Sequence, residues 1–116
     1  MAAIPEISVE TLALRLRSDD QFVLLDVREP WELESARIAD RRLVLAPMSS
    51  LSQLGLPALP EAARSPEADL FVICHHGVRS AQVTAWLIAR GWTRAFSVSG
   101  GIDEYARKVD SAVGSY

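Results

Sequence analysis

Residues 69–80 read Asp69-Leu70-Phe71-Val72-Ile73-Cys74-His75-His76-Gly77-Val78-Arg79-Ser80. The apolar run before Cys74 has no polar alternation. It predicts a short strand buried on both faces, the habit of a parallel sheet. The residues after Cys74 are His, His, Gly and Arg, which do not continue a core. A helix over about 80–90 follows, apolar around most of its girth (Ala81, Val83, Ala85, Trp86, Leu87, Ile88, Ala89), and Gly91 stops it.

The same grammar extends in both directions. Upstream, Phe22-Val23-Leu24-Leu25-Asp26-Val27 is a second buried run, and Leu43-Val44-Leu45 is a further strand candidate. Downstream, Ala95-Phe96-Ser97-Val98 is another strand. Helices are expected over 9–17, capped by Ser8, from Pro30 through Glu34, and near Ile102–Val109. Pro57 and Pro60 break any helix in 49–65 or restart it at Pro60. The tail Asp110–Tyr116 reads as a loose terminus. Strands separated by helices, with strands that do not alternate, give an α/β class with a parallel sheet covered on both faces.

Composition sets the bounds. A chain of 116 residues with no linker-like stretch is expected to be one domain, 1–116. With 49 % apolar and 23 % charged residues it belongs among folded globules. Cys74 is the only cysteine, which excludes an internal disulfide framework and a thiolate-cage zinc site. A net charge of −3 argues against nucleic-acid and anionic-membrane partners. No run reaches the roughly 18 apolar residues of a membrane span. Met1-Ala2-Ala3-Ile4-Pro5-Glu6 lacks a secretory leader's basic and apolar regions. A soluble, cytoplasmic protein is expected.

In open parallel sheets, ligands bind beyond the carboxyl ends of strands, at helix N-termini. Cys74 falls at such a place. Backbone amides converging there and the dipole of the following helix favour a thiolate over a thiol. Gly77 permits a tight turn with positive φ, and Arg79 adds a fixed cation. A cysteine that ends an apolar strand is often an inert small hydrophobe. The polar residues that follow turn the reading toward a reactive one. His75 and His76, adjacent on a tight loop, are expected to diverge and to make rim contacts, so no metal site is expected.

Three stretches lie in order: Leu25-Asp26-Val27-Arg28-Glu29-Pro30-Trp31-Glu32, then Cys74-His75-His76-Gly77-Val78-Arg79-Ser80, then Gly91-Trp92 with Val98-Ser99-Gly100-Gly101-Ile102. Together they resemble the rhodanese family, specifically its small single-domain sulfurtransferases. The resemblance implies a rhodanese-like α/β fold, with about five mainly parallel strands flanked by helices on both faces. It implies that Cys74 accepts a sulfane sulfur from a donor such as thiosulfate and passes it to cyanide or a thiol, in covalent catalysis of the ping-pong type. On this resemblance the amides of His75, His76, Gly77, Val78, Arg79 and Ser80 cradle the sulfur, and Arg79 attracts an anionic donor. Asp26 and Arg28 lie behind or beside the loop, either holding it or forming a simple structural ion pair. No cofactor is implied. The partners are a small-molecule sulfur donor and acceptor, a protein thiol among the possible acceptors.

The segment Ala36-Arg37-Ile38-Ala39-Asp40-Arg41-Arg42 departs from the family's Pro-Gly turn, and its arginines read as a solvated surface or an acidic-partner patch. A phosphatase or arsenate reductase is the nearest rival chemistry. Tyrosine-phosphatase-like loops place five residues between Cys and Arg, whereas this loop has four, His75 to Val78. The smaller ring suits one sulfur better than a tetrahedral oxyanion. A persulfide carrier or a non-catalytic binding module is the alternative from outside enzyme chemistry.

Overall fold

A computed structural model of the chain describes residues 3–116; Met1 and Ala2, part of the segment read above for a leader, lie outside them. Five strands, β1 (Glu6–Ile7), β2 (Val23–Asp26), β3 (Leu43–Leu45), β4 (Leu70–Ile73) and β5 (Ala95–Val98), form one sheet in the order β1-β5-β4-β2-β3. Every pairing is parallel. The helices are α1 (Val9–Leu16), α2 (Pro30–Leu33), α3 (Met48–Leu54), α4 (Val78–Ile88) and α5 (Gly101–Lys108). Among the described residues, no helix is long and apolar enough to cross a membrane.

The non-alternating strands divide their side chains between two cores. In β4, Leu70 and Val72 face a core built with α3 and α4 through Leu51, Val83 and Leu87. Phe71 and Ile73 face the other, built with α1 and α5 through Val9, Leu12, Ile102 and Tyr105. All four β4 side chains are buried, so the strand needs apolar residues at every position. That is why the sequence carries no period-2 signal here.

The strand order creates the crevice. β2 leads on to β3 on one side of the sheet, while β4 leads on to β5 on the other. The carboxyl ends of β2 and β4 therefore open at a topological switch point, where α/β sheets bind ligands. Asp26 ends β2, and Cys74 follows β4 directly.

Several expectations need correction. β1 escaped the sequence reading, because two edge residues after Pro5 carry no periodic pattern. α3 ends at Leu54, with Gly55 at positive φ, and the restart at Pro60 is only a 3₁₀ turn, Glu61–Ala63. Helix α4 starts at Val78 rather than Ser80, which puts Arg79 in its first turn. Arg42 is neither solvated nor a docking residue. It is buried, pairs with Asp40 at 2.8 Å, and donates to the carbonyls of Leu16, Ser18 and Asp20, closing the C-terminal end of α1.

The tail is not loose. Asp110 caps a 3₁₀ turn, Ser111–Val113, by accepting from the Ala112 amide, and Gly114 bridges to Ala36 in antiparallel fashion. The Arg37 amide donates to the Val113 carbonyl at 2.8 Å. These bonds pin the chain end to the atypical 36–42 segment and carry Tyr116 back to the end of β4.

Candidate active site

Cys74 is 1 % exposed and belongs to the α3/α4 core. Its sulfur meets polar atoms. The Gly77 amide donates to Sγ at 3.1 Å and the Ser80 amide at 3.3 Å, while Ser80 Oγ lies 3.4 Å away. Gly77, at φ 101°, is the left-handed N-cap of α4, and that turn aims its N–H at the sulfur. A Cβ there would stand 3.2 Å from the Gly100 amide nitrogen.

Helix α5 holds the loop from the other side. The Ile102 amide donates to the Cys74 carbonyl at 2.9 Å and the Asp103 amide to the His75 carbonyl at 3.0 Å. These first-turn amides draw the loop's carbonyls away from the sulfur, which the Gly77 and Ser80 N–H groups face. The approach requires Gly101: a Cβ there would lie 2.5 Å from the Cys74 carbonyl oxygen. The His76, Val78 and Arg79 amides bond no protein acceptor among the described residues, and the last two belong to the positive end of α4.

Charges sit beside the cradle in matched pairs. Arg28 is fully buried and grips Asp26 at 2.8 Å through Nη2 and at 3.0 Å through Nε. Burial works against the Arg28 charge, but the Asp26 bonds more than offset it and hold the guanidinium above its ordinary range. Arg79 is not free. It is clamped to Glu32 by two bonds, Nη1 to Oε2 at 2.7 Å and Nη2 to Oε1 at 2.8 Å. Glu32 also accepts from the Glu29 amide and from the Tyr116 hydroxyl at 2.7 Å. Arg79 is the main cause, with Tyr116 and Glu29 adding to it, of a Glu32 carboxyl held down at about 2. Arg28 donates to the Tyr116 oxygen at 3.2 Å, so one phenol joins both ion pairs.

The Tyr116 ring stacks on His75 at 3.8 Å and 8°, and His75 in turn lies against His76 at 3.9 Å. The two histidines thus lie together rather than diverging, with Tyr116 stacked on His75 as well. Burial first, then the neighbouring His76, pushes the His75 imidazole below its usual value. His75, His76 and Asp103 bring ligand-type atoms within 4.8 Å of one another, but the Asp103 carboxylate is engaged by Arg107 at 3.1 Å.

Residues 8–108 match the rhodanese-like domain model. The chain belongs to the rhodanese-like family. It is 31 % identical over 104 residues to a sulfurtransferase of Allochromatium vinosum, covering 90 % of each chain. It is 34 % identical over 117 residues to the rhodanese-like/PpiC domain-containing protein 12 of Arabidopsis thaliana chloroplasts, where it spans 97 % of its own length and 38 % of that protein's. The solved structure of a rhodanese-related protein from Thermoplasma volcanium superposes with a TM-score of 0.72 at 28 % identity, covering 90 % of this chain and 93 % of that one. The five-stranded parallel sheet is the rhodanese fold expected from the sequence.

Within this rhodanese loop, Cys74, Gly77 and Ser80 come together at the sulfur, while His75, His76 and Val78 form its rim. Three contributors were not singled out in the sequence. Glu32 sat inside a quoted motif, but its partner is 47 residues away. Ser97 had a signal, a lone polar residue in an apolar strand: it is fully buried, with Oγ 2.8 Å from Ser80 Oγ. Tyr116 had none, since nothing local to the tail foretells its docking.

Proposed function

We propose that this rhodanese-like protein is a sulfurtransferase that carries a sulfane sulfur as a persulfide on Cys74. The observation that carries the reading is the cradle: a nearly inaccessible sulfur receives two backbone N–H groups and lies beside a hydroxyl. Such donors favour the thiolate, the nucleophilic form.

The first half-reaction is attack of the Cys74 thiolate on the outer sulfur of a donor such as thiosulfate. A sulfur–sulfur bond forms to Cys74, the donor's sulfur–sulfur bond breaks, and sulfite leaves with the bonding pair. The product is a Cys74 persulfide anion. In the second half-reaction a nucleophile such as cyanide or a thiolate attacks the outer sulfur. The persulfide bond breaks, its pair returns to Cys74, and thiocyanate or a new persulfide departs. Charge balances in both steps, with no metal or redox partner. The unpaired amides of His76, Val78 and Arg79 supply preorganised donors for the outer sulfur's charge. Arg79, held by Glu32, contributes a fixed positive edge for an anionic donor. Four residues between Cys74 and Arg79 favour this chemistry over transfer of a phosphoryl group.

Incubation with thiosulfate should add one sulfur to the intact mass, and cyanide should release it as thiocyanate. Cys74→Ser should abolish both. Mass gain without thiocyanate would mark a carrier that serves a protein thiol. No gain with thiosulfate or any low-molecular-weight persulfide, or phosphate release from p-nitrophenyl phosphate in its place, would overturn the reading.

A further inference from the structure

We propose that Ser97, a residue of the central sheet rather than of the loop, is a positioning residue that aims the Ser80 hydroxyl at the Cys74 sulfur. The inference rests on Cys74 being the nucleophile.

Ser97 lies on β5, fully buried, and so does Ser80 at the base of α4. Among the described residues the Ser97 hydroxyl has one hydrogen-bonding neighbour, Ser80 Oγ at 2.8 Å. A buried hydroxyl proton without an acceptor is costly, so Ser97 donates to Ser80 Oγ. Ser80 then has two acceptors for its own proton, the Gly77 carbonyl at 3.2 Å and Cys74 Sγ at 3.4 Å.

The choice between them depends on the sulfur. With a neutral thiol, S–H donates to Ser80 Oγ and Ser80 donates to the Gly77 carbonyl. Once the sulfur is an anion it is the stronger acceptor, and the Ser80 hydroxyl turns to it. Throughout, Ser97 occupies the far side of the Ser80 oxygen and polarises its O–H bond. Two hydroxyls in series then end on Sγ, adding a third donor to the amides of Gly77 and Ser80. After loading, the charge moves to the outer sulfur and Ser80 returns its proton to the Gly77 carbonyl, so the relay serves the free thiolate.

Alkylation of Cys74 by iodoacetamide reads the thiolate directly, with no sulfur donor present and no second cysteine to interfere. Ser97→Ala removes one buried oxygen and leaves the strand intact. It should slow alkylation near pH 7 about threefold, and the deficit should shrink as the pH is raised toward 10. In a Ser80→Ala background, Ser97→Ala should have no further effect. Three results would overturn the proposal: an unchanged rate in Ser97→Ala near pH 7, a deficit that does not shrink toward pH 10, or an equal deficit in the Ser80→Ala background. Failure to load sulfur on a Cys74 that alkylates as expected would count against sulfur transfer and leave the hydroxyl relay standing.

Discussion

Glu32→Gln isolates the charge of one buried carboxylate while keeping its shape. Glu32 is 4 % exposed on its side chain and accepts from Arg79 twice, from Tyr116 and from the Glu29 amide. Folding lowers its carboxyl from 4.5 to about 2, which corresponds to about 3 kcal/mol of stability at neutral pH. Arg79 keeps 31 % of its side chain exposed and regains water when its partner loses charge, so the expected loss is nearer about 2 kcal/mol. For a chain of this length that is about 8 °C in Tm. The pH dependence is the sharper test. A carboxyl whose folded value is depressed stabilises fully above its unfolded value and loses that contribution as pH falls toward the folded one. The gap between wild type and Glu32→Gln should therefore be full above about pH 5, shrink below it, and nearly vanish near pH 2. Urea unfolding at a series of pH values measures the gap, and other carboxylates cancel in the difference. No gap near neutrality, or a gap unchanged down to about pH 2.5, would refute the reasoning.

Two further outcomes are expected. Asp26→Asn leaves the fully buried Arg28 guanidinium without a counter-charge and should cost about 3–5 kcal/mol in urea unfolding; a loss under about 1 kcal/mol would mean that Tyr116 and the Glu32 carbonyl suffice to hold the cation. Tyr116→Ala uncovers the stacked face of His75, so the imidazole, now held low mainly by burial, should titrate closer to its ordinary value in proton NMR. An unmoved His75 titration would show that the loop, not the tail, supplies that burial.

The site joins two kinds of support. The sulfur itself is served by short-range geometry, the left-handed turn at Gly77 and the first turn of α4, while α5 draws the loop carbonyls off from far along the chain. The charged flank is held at long range, with α2, α4 and the tail meeting at one carboxylate. Because Arg79 is already paired with Glu32, its guanidinium is held in a fixed position beside the loop.

What the chain order of residues determined is local. A continuous apolar run needs burial on both faces, and a Cys after it with Gly and Arg following forces a turn into a helix; these are statements about neighbours within a few residues. They place Cys74, Gly77 and Ser80 at the carboxyl end of a strand, and the structure agrees. Tertiary packing decided the rest. Arg79 could be read as a free cation because Glu32 lies 47 residues away along the chain. Tyr116 could be read as a loose end because its anchor, Ala36 bridged to Gly114, is distant in sequence. Ser97 looked like an imperfection in a strand until β5 packed beside α4. Hydrogen bonds between side chains obey distance in space, and only the completed sheet brings these partners within reach of one sulfur.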